Sequence, residues 1–410
     1  MRKGRSLKNF FTPKTIAVVG ASNNLKKVGN VLMKKLSNFK GEVIPISIKH
    51  KEILGKKTYS SVTKYPKKID LAIIAVPAKI VKKILEDCGI KKIKSVIIIS
   101  AGFSERGNKK LEQELINLAK KYKINLLGPN CFGIANPYLD LDTTFANTSS
   151  KKGGIAFISQ SGALWSYVSD ISASKRKPAF SGFVSLGNMA DLDFSDFINY
   201  FNTDKKTKKI ILYVEKLKQG RKFINICKRS KKKIIVVKAG KTEKGSRAAI
   251  SHTGSLATDF EIYKGAFKQA HIKLTDSLSS AFHFKKSKIK IPIKIKGNKV
   301  VLITNAGGAG ALMTDYLVKK GFDVNPPIDL IGTASAKDYE SALNRLKKKF
   351  YDLAIVILTP QRMSEPEKTA KAIVKFSKTN SVIACFLGEC SIKKAKEILD
   401  KNKVPCFIRI

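Results

Sequence analysis

The stretch Ser95-Val-Ile-Ile-Ile-Ser-Ala-Gly-Phe-Ser-Glu105 joins an unbroken aliphatic run to a loop of small residues. A run that is apolar at every position is typical of a strand buried on both faces, as in a parallel sheet covered by helices. The same unit recurs at Leu71-Ala-Ile-Ile-Ala-Val76, which is followed by Pro77-Ala78. The pattern therefore predicts an α/β fold.

The same alternation of strand and helix runs along the whole chain. Predicted strands lie at 15–19, 42–46, 71–76, 95–99, 124–127, 154–158, 180–186, 209–214, 233–238, 300–304, 352–358, 382–386 and 405–409. The more polar stretches at 147–153 and 285–299 indicate breaks. We therefore expect three consecutive parallel-sheet domains, at residues 1–148, 149–286 and 300–410, with a linker at 287–299.

The first strand leads into Gly20-Ala-Ser-Asn-Asn-Leu-Lys-Lys-Val-Gly29, and a helix is predicted at 30–38. A glycine-bearing turn before a helix is typical of phosphate binding at the helix N-terminus. The spacing is not that of a dinucleotide-binding GxGxxG loop, so a polyphosphate other than NAD is favoured. The loops at 76–78, 100–105 and 128–133 follow other strands, and the carboxyl ends of parallel strands should line one crevice with it.

The chain has 410 residues, a formal net charge of +48 and a pI of about 10.0. Such an excess of positive charge makes nucleic acid and anionic membranes candidate partners. However, the lysines are scattered singly or in short runs, such as Lys82-Lys83 and Lys120-Lys121. This favours a lysine-rich solvent surface over dedicated nucleic-acid binding, although such a surface would still attract anionic ligands.

Six cysteines include no CxxC pair, and the four histidines are not spaced to complete a metal site. Most of the cysteines stand in apolar runs, which indicates a reducing compartment and no structural zinc. No apolar run approaches the roughly 20 residues that span a bilayer. Residues 1–14 are basic but lack the apolar core of a signal peptide. We expect a soluble cytoplasmic protein without a membrane partner.

The second domain carries a candidate anion site at Ser159-Gln-Ser-Gly162, between a strand and a helix that begins near Ala163. Ser159 or Ser161 can cap this helix, and its free N–H groups would favour an anion. On this motif alone, an ordinary N-cap is as well supported as a binding site.

His252 lies in the small-residue stretch Gly245-Ser-Arg-Ala-Ala-Ile-Ser-His-Thr-Gly-Ser-Leu-Ala257. We expect this stretch to be a loop between the strand at 233–238 and a helix at about 256–270. Glu215 ends the neighbouring strand at 209–214, so the two side chains could meet. A carboxylate on one imidazole nitrogen orients the ring and activates the other nitrogen for proton or phosphoryl transfer. Taken alone, His252 could equally be a surface-loop residue without a role, and a lone glutamate at a strand end is more often a surface residue.

The third domain has a glycine loop, Asn305-Ala-Gly-Gly-Ala-Gly310, after a predicted strand. It is compatible with nucleotide binding and equally with a tight strand-to-helix turn.

The motifs together resemble a known family. Ser251-His-Thr-Gly-Ser-Leu-Ala257 is similar to the phosphohistidine signature of NDP-forming acyl-CoA synthetases, which are relatives of succinyl-CoA ligase, and most of all to that of the α subunits of ADP-forming acetate–CoA ligases. The resemblance extends in order through residues 19–22, 76–78, 100–105, 128–133, 159–163, 187–191, 305–308, 325–332 and 358–361. It implies a Rossmann-like CoA-binding domain, a succinyl-CoA ligase-like flavodoxin domain and a second flavodoxin-like domain.

The resemblance also implies the functional residues. His252 would be transiently phosphorylated, Glu215 would hydrogen-bond to it, and Ser159, Ser161 and Gly162 would receive its phosphate. The residues implied for CoA are Gly20, Ala21, Ser22, Lys27, Val76, Pro77, Ser100, Ala101, Gly102 and Asn130. No residue of this chain is expected to bind a metal.

The implied reaction converts acyl-CoA, phosphate and ADP to acid, CoA and ATP through an acyl phosphate. A separate ATP-grasp β subunit would hold ADP or ATP with Mg²⁺, in an α2β2 heterotetramer. We expect the third domain, residues 300–410, to be a shortened form of the family's flavodoxin-like domain, with a helical segment missing between Val324 and Asn325 and a terminal helix missing after the strand that ends near Ile410.

Three other interpretations compete with this one. A succinyl-CoA ligase α subunit would resemble only the first two domains. A CoA-binding regulator would lack turnover and would not need His252 or Glu215. A basic scaffold would bind nucleic acid with a steep dependence on salt.

Overall fold

The computed structural model describes residues 6–174, 178–253, 259–284 and 297–410. Its helices are α1 (Lys8–Phe11), α2 (Val28–Lys35), α3 (Ala78–Ile90), α4 (Lys109–Lys121), α5 (Ala163–Ala173), α6 (Phe194–Thr203), α7 (Gly220–Lys228), α8 (Glu243–Thr253), α9 (Phe260–Gln269), α10 (Leu278–Phe282), α11 (Gly307–Val318), α12 (Ala336–Asn344), α13 (Pro366–Ser377) and α14 (Lys393–Lys401).

Each of the thirteen predicted strand positions contains a strand, and the described residues add seven short strands that aliphatic runs did not indicate. The strands are β1 (Thr15–Val19), β2 (Glu42–Ile46), β3 (Glu52–Ile53), β4 (Lys56–Lys57), β5 (Leu71–Ile74), β6 (Ser95–Ile98), β7 (Asn125–Leu127), β8 (Ile134–Asn136), β9 (Leu141–Asp142), β10 (Lys152–Ser159), β11 (Phe180–Ser185), β12 (Lys209–Val214), β13 (Lys233–Lys238), β14 (Lys273–Thr275), β15 (Lys299–Thr304), β16 (Asp323–Val324), β17 (Ile328–Asp329), β18 (Leu353–Leu358), β19 (Val382–Phe386) and β20 (Cys406–Phe407). The seven added strands are β3, β4, β8, β9, β14, β16 and β17.

The first sheet has the strand order β2-β1-β5-β6-β7, and all its pairs are parallel. Every residue of β5 is fully buried, because helices cover both faces. Val81 and Leu85 of α3 pack on one face with Leu115 of α4. Met33 of α2 packs on the other. The sequence pattern of β5 and β6 is thus explained by burial on two sides.

The second sheet has the order β14-β13-β12-β10-β11-β8-β9. Strands β10 to β14 pair in parallel, whereas β8 pairs antiparallel with β11 and β9 antiparallel with β8. Strands β8 and β9 precede the domain limit expected after residue 148, so the chain crosses to the second sheet before that point. The domain limits themselves stay a prediction.

The third sheet has the order β16-β15-β18-β19-β20, and β17 also pairs with β15, all in parallel. Helices α12, α13 and α14 cover one face through Tyr339, Ile373 and Leu399. Helix α11 covers the other face, because its buried residues Ala309 and Leu312 share a core with Val300 of β15, and the same core includes the second sheet. It contacts both α5 and α8. The third sheet is thus joined to the second through α11.

The α/β class with consecutive, mostly parallel sheets is confirmed. One local prediction is wrong, because residues 243–253 form helix α8 and not a loop. The expected linker at 287–299 falls largely outside the described residues. Lys82, Lys83, Lys120 and Lys121 are exposed on helices, as a lysine-rich surface requires. Among the described residues, no helix is long and apolar enough to cross a membrane.

Asp170 of α5 joins the second and third sheets. Its side chain is fully buried and accepts hydrogen bonds from Glu389 N (2.7 Å), Ser391 N (3.1 and 3.2 Å) and Ser391 Oγ (2.5 Å). These donors lie in the loop between β19 and α14. A buried carboxylate with several donors is costly to disrupt, because both sides lose their partners.

We expect Asp170→Asn to lower the free energy of unfolding by about 2–3 kcal/mol, since hydrogen bonds to a charged group contribute about that much. The single tryptophan, Trp165, is buried on the same helix and reports the transition by its fluorescence in denaturant. The control is Asp400→Asn, which removes an exposed ion pair with Lys396 and should change the free energy by less than about 0.5 kcal/mol. Equal midpoints for both variants would contradict this account.

Candidate functional site

One cavity lies at the carboxyl ends of the strands of the first sheet. Its volume is about 1200 Å³, which exceeds the roughly 300–1,000 Å³ of most small-ligand sites. Loops that follow strands of all three sheets line it. The predicted site residues among them are Gly20, Ala21, Ser22, Lys27, Val76, Pro77, Ser100, Ala101, Asn130, Ser161 and Gly162. The cavity therefore brings together most residues predicted for CoA and for phosphate.

The loop after β1 is shaped by two glycines. Gly20 has φ +90°, and a Cβ there would lie 2.4 Å from Ala75 O. A Cβ on Gly29 would lie 2.0 Å from Gly20 O, so the start of α2 can approach the end of β1 only without a side chain. This close approach leaves Ser22 and Lys27 at the cavity wall.

The ends of β5 and β6 are tied together by Ser100. Its hydroxyl accepts a hydrogen bond from Val76 N (3.1 Å) and donates to Val76 O (2.5 Å). Ser100 O in turn accepts from Asn130 N (2.9 Å). Gly102, also predicted for CoA, is absent from the described cavity wall, and its N–H donates to Glu105 Oε1 (2.5 Å). Glu105 itself lines the cavity.

The start of α5 faces the same cavity. The prediction that Ser159 or Ser161 caps it is wrong, because Gly162 is the N-cap residue and no described side chain caps it. Ser159 is fully buried, and its hydroxyl donates to Ser161 O (2.6 Å). An uncapped helix start leaves N–H groups available to an anion.

Glu215 lies at the end of β12 and is 5% exposed. Its backbone N–H donates to Gln160 Oε1 (2.6 Å), as does that of Lys216 (2.8 Å). Gln160 is part of the cavity wall, so one side chain connects Glu215 to the loop that is predicted to bind phosphate. Among the described residues, Gln160 Nε2 has no hydrogen-bond partner although it is buried. This role of Gln160 could not be predicted from its local sequence.

Two further ionisable groups surround Glu215. Burial lowers the pKa of Lys238 to about 8, although Glu215 and Asp315 oppose the shift. Burial also raises the pKa of Tyr213, and the Glu215 carboxylate adds to that effect. Tyr213 donates its hydroxyl to Gly308 O (3.0 Å). Glu215 thus lies in a buried polar environment at the junction of the sheets.

His252 falls in the last turn of α8, with its side chain outside the described residues. The contact between Glu215 and His252 therefore stays a prediction. Helix α8 packs on α11 and also contacts the short 3₁₀ helix at Ser104–Arg106, next to the cavity.

The third sheet contributes residues that were not predicted for the site. Asn305, Ala306 and Gly307 line the cavity where α11 begins, and Asp329 and Gly332 line it farther along the chain. The stretch at 305–310 is thus a strand-to-helix junction that is helical from Gly307 onward, and its first three residues form part of the cavity.

The charge of the cavity wall favours an anion. Lys27, Lys49, Lys83 and Arg106 line it, against the acidic residues Asp87, Glu105 and Asp329. Excess positive charge in a cleft attracts polyanionic ligands. Among the described residues, no cluster of His, Cys, Asp and Glu could hold a metal ion.

Comparison with known proteins decides between the candidate protein families. Residues 14–137 match the CoA binding domain family, and residues 152–287 match the succinyl-CoA ligase like flavodoxin domain family. The α subunit of acetate–CoA ligase [ADP-forming] II from Pyrococcus furiosus is 40% identical, over 98% of this chain and 94% of the relative. The chain belongs to the family of α subunits of ADP-forming acetate–CoA ligases.

Two further relatives match this chain, and one of them is much longer. Acetate–CoA ligase [ADP-forming] I of Archaeoglobus fulgidus is 38% identical over 98% of this chain, but the chain spans only 61% of it. The solved structure of Ca. Korarchaeum cryptofilum dinucleotide-forming acetyl-coenzyme A synthetase 1, in complex with phosphate and ADP, is 35% identical. It matches with a TM-score of 0.66 over 98% of this chain and 94% of that one. The match to this structure therefore includes the third sheet.

We expect Lys238→Met to raise the free energy of unfolding by up to about 3 kcal/mol at pH 7, because the folded protein no longer buries an ammonium group. The folded pKa of about 8 lies below the ordinary 10.5. The cost is therefore full below pH 8 and disappears as pH rises to 10.5. Denaturation at pH 7 and pH 10 checks this, with exposed Lys264→Met as control. A difference that does not shrink at pH 10 would contradict it.

Proposed function

We propose that this chain is the α subunit of an ADP-forming acetyl-CoA synthetase. It would convert acetyl-CoA, phosphate and ADP to acetate, CoA and ATP through a phosphohistidine at His252. The observation that carries the proposal is the single cavity shared by the CoA-type loops of the first sheet and the phosphate-type loop of the second. Acyl and phosphoryl chemistry need such a common site.

The first step joins phosphate to the acyl group. A phosphate at the start of α5, near Ser161 and Gly162, would attack the thioester carbon of acetyl-CoA. A C–O bond forms, the C–S bond breaks, and CoA leaves as a thiolate that takes up a proton. The open N–H groups of the helix start hold the phosphate in place, and the basic cavity wall holds CoA. The product is acetyl phosphate.

The second step moves the phosphoryl group to the protein. His252 Nε2 would attack phosphorus, the P–O bond to the acyl oxygen breaks, and acetate leaves. Glu215 would hold the Nδ1 proton and stabilise the imidazolium that develops, as a buried carboxylate does for a catalytic histidine. Transfer from Nε2 to ADP then gives ATP and restores His252.

Nucleotide binding is assigned to a partner. We infer an ATP-grasp β subunit that holds ADP or ATP with Mg²⁺, in an α2β2 heterotetramer in the cytoplasm. The subunit name of the Pyrococcus relative supports a second chain. The longer Archaeoglobus relative, of which this chain spans 61%, supports an additional part that is fused there.

His252→Ala should abolish covalent labelling by [³²P]phosphate in the presence of acetyl-CoA, because no other nucleophile is assigned to the phosphoryl group. The wild-type complex should carry one acid-labile, alkali-stable phosphate per chain, which ADP discharges. His271→Ala is the matched control, since His271 is an exposed histidine at the end of α9. Undiminished labelling of the His252→Ala variant would place the phosphate elsewhere. No labelling of the wild type with any acyl-CoA would favour a CoA-binding regulator.

Glu215→Gln should slow phosphorylation of His252 by about 10²-fold or more, because a neutral amide stabilises the imidazolium less well. The KM for acetyl-CoA should stay within twofold, since Glu215 is not among the residues that line the CoA cavity. Rapid-quench labelling measures the phosphorylation rate, and steady-state kinetics give the KM for acetyl-CoA. Glu261→Gln, an exposed change on α9, serves as control. An unchanged labelling rate would exclude Glu215 from the relay.

A further inference from the structure

The buried carboxylate of Asp315 connects the third domain to the start of α8. Asp315 lies on α11 and is 4% exposed. Its oxygens accept hydrogen bonds from three consecutive backbone N–H groups, those of Gly240 (2.8 Å), Lys241 (2.9 and 3.0 Å) and Thr242 (2.8 Å). The Thr242 hydroxyl is also 2.9 Å from Asp315 Oδ1. One side chain thus holds the whole turn before α8.

The helix start is built to receive this carboxylate. A Cβ on Gly245 would lie 2.0 Å from Asp315 Oδ1, so only glycine fits at that position of the first turn. Gly240 has φ +78°, a conformation that glycine adopts without strain. A negative charge beside a helix start is also stabilising. The sequence of residues 240–245 therefore matches the position of Asp315.

Helix α11 carries Asp315 and also contacts the phosphate-binding loop. At its start, a Cβ on Gly308 would lie 2.5 Å from Ser161 Cβ, so the two segments touch. At its other end it carries Asp315. Helix α8 leaves the Asp315 anchor at Glu243 and reaches His252 nine residues later, roughly 14 Å along the axis. A single helix thus fixes both the phosphate-binding loop and the base of the His252 segment.

We propose that Asp315 is a positioning residue for phosphoryl transfer. It anchors the base of α8 to the third domain, so that His252 is presented to the phosphate-binding loop at a fixed distance. This inference rests on the proposed relay at His252. It gives the third domain a role in the chemistry, beyond enclosing the cavity.

Asp315→Asn tests the proposal in the complete α–β complex. The amide keeps the size but turns an NH₂ group toward backbone donors. We expect the rate of His252 phosphorylation from acetyl-CoA and phosphate to fall at least tenfold. CoA affinity should stay within twofold, because Asp315 does not line the cavity. Asp323→Asn is the matched control, because it removes an exposed ion pair between the third domain and Lys244 of the same helix. It should label at the wild-type rate.

Gly245→Ala disturbs the same contact by a change in helix α8. Its Cβ would displace the Asp315 carboxylate, so it should reduce the labelling rate similarly. The double variant should be no slower than the slower single variant, because both changes remove one interaction. The Gly245→Ala variant also provides a test of the proposal if Asp315→Asn does not fold.

The outcomes separate the two proposals. If the wild type is not labelled, the relay itself is wrong. If the wild type is labelled and Asp315→Asn labels at the rate of Asp323→Asn, the positioning role is wrong. If CoA-binding capacity and labelling fall in the same proportion, Asp315 serves only to keep the protein folded, and the inference is overturned as well.

Discussion

The close approach of Gly308 to Ser161 is the constraint on which the rest of the site depends. No side chain larger than hydrogen fits there, and the buried hydroxyl of Tyr213 donates to Gly308 O (3.0 Å) across the same junction. The contact places the start of α11 directly beside the start of α5. A larger residue would separate the third sheet from the second, and the cavity would lose one of its walls.

This junction explains how loops suited to two different ligands come to share one cavity. The first sheet contributes loops suited to a large anionic ligand, and the second contributes an uncapped helix start suited to phosphate. Lys238, Glu215 and Gln160 form a buried polar layer behind that helix start. Burying a lysine whose pKa falls to about 8 is unfavourable for folding. Functional sites often retain such perturbed groups, because the chemistry needs charge where stability alone would not place it.

The sequence predicted the sheets better than the site. Strands β5, β6, β12 and β13 were predictable because aliphatic runs buried on both faces are a strong local signal. Helix α8 was not predictable, because its small residues and glycines are typical of a loop. Its start is held by Asp315, some seventy positions away in the chain, so tertiary contacts outweigh local propensity. The same reason applies to Gln160, whose role depends on backbone groups at the end of another strand. The antiparallel placement of β8 and β9 likewise depends on a neighbouring strand and not on their own pattern.

The proposed reaction requires that phosphate attack the thioester in this cavity and yield an acyl phosphate. The most direct test follows oxygen from phosphate into the acid. The complete α–β complex would be incubated with acetyl-CoA, ADP, Mg²⁺ and [¹⁸O₄]phosphate, and the acetate analysed by mass spectrometry. If the account is correct, each acetate carries one ¹⁸O, because the bridging oxygen of acetyl phosphate stays with the acyl group when His252 takes the phosphoryl group. Acetate without ¹⁸O, formed together with ATP, would contradict it.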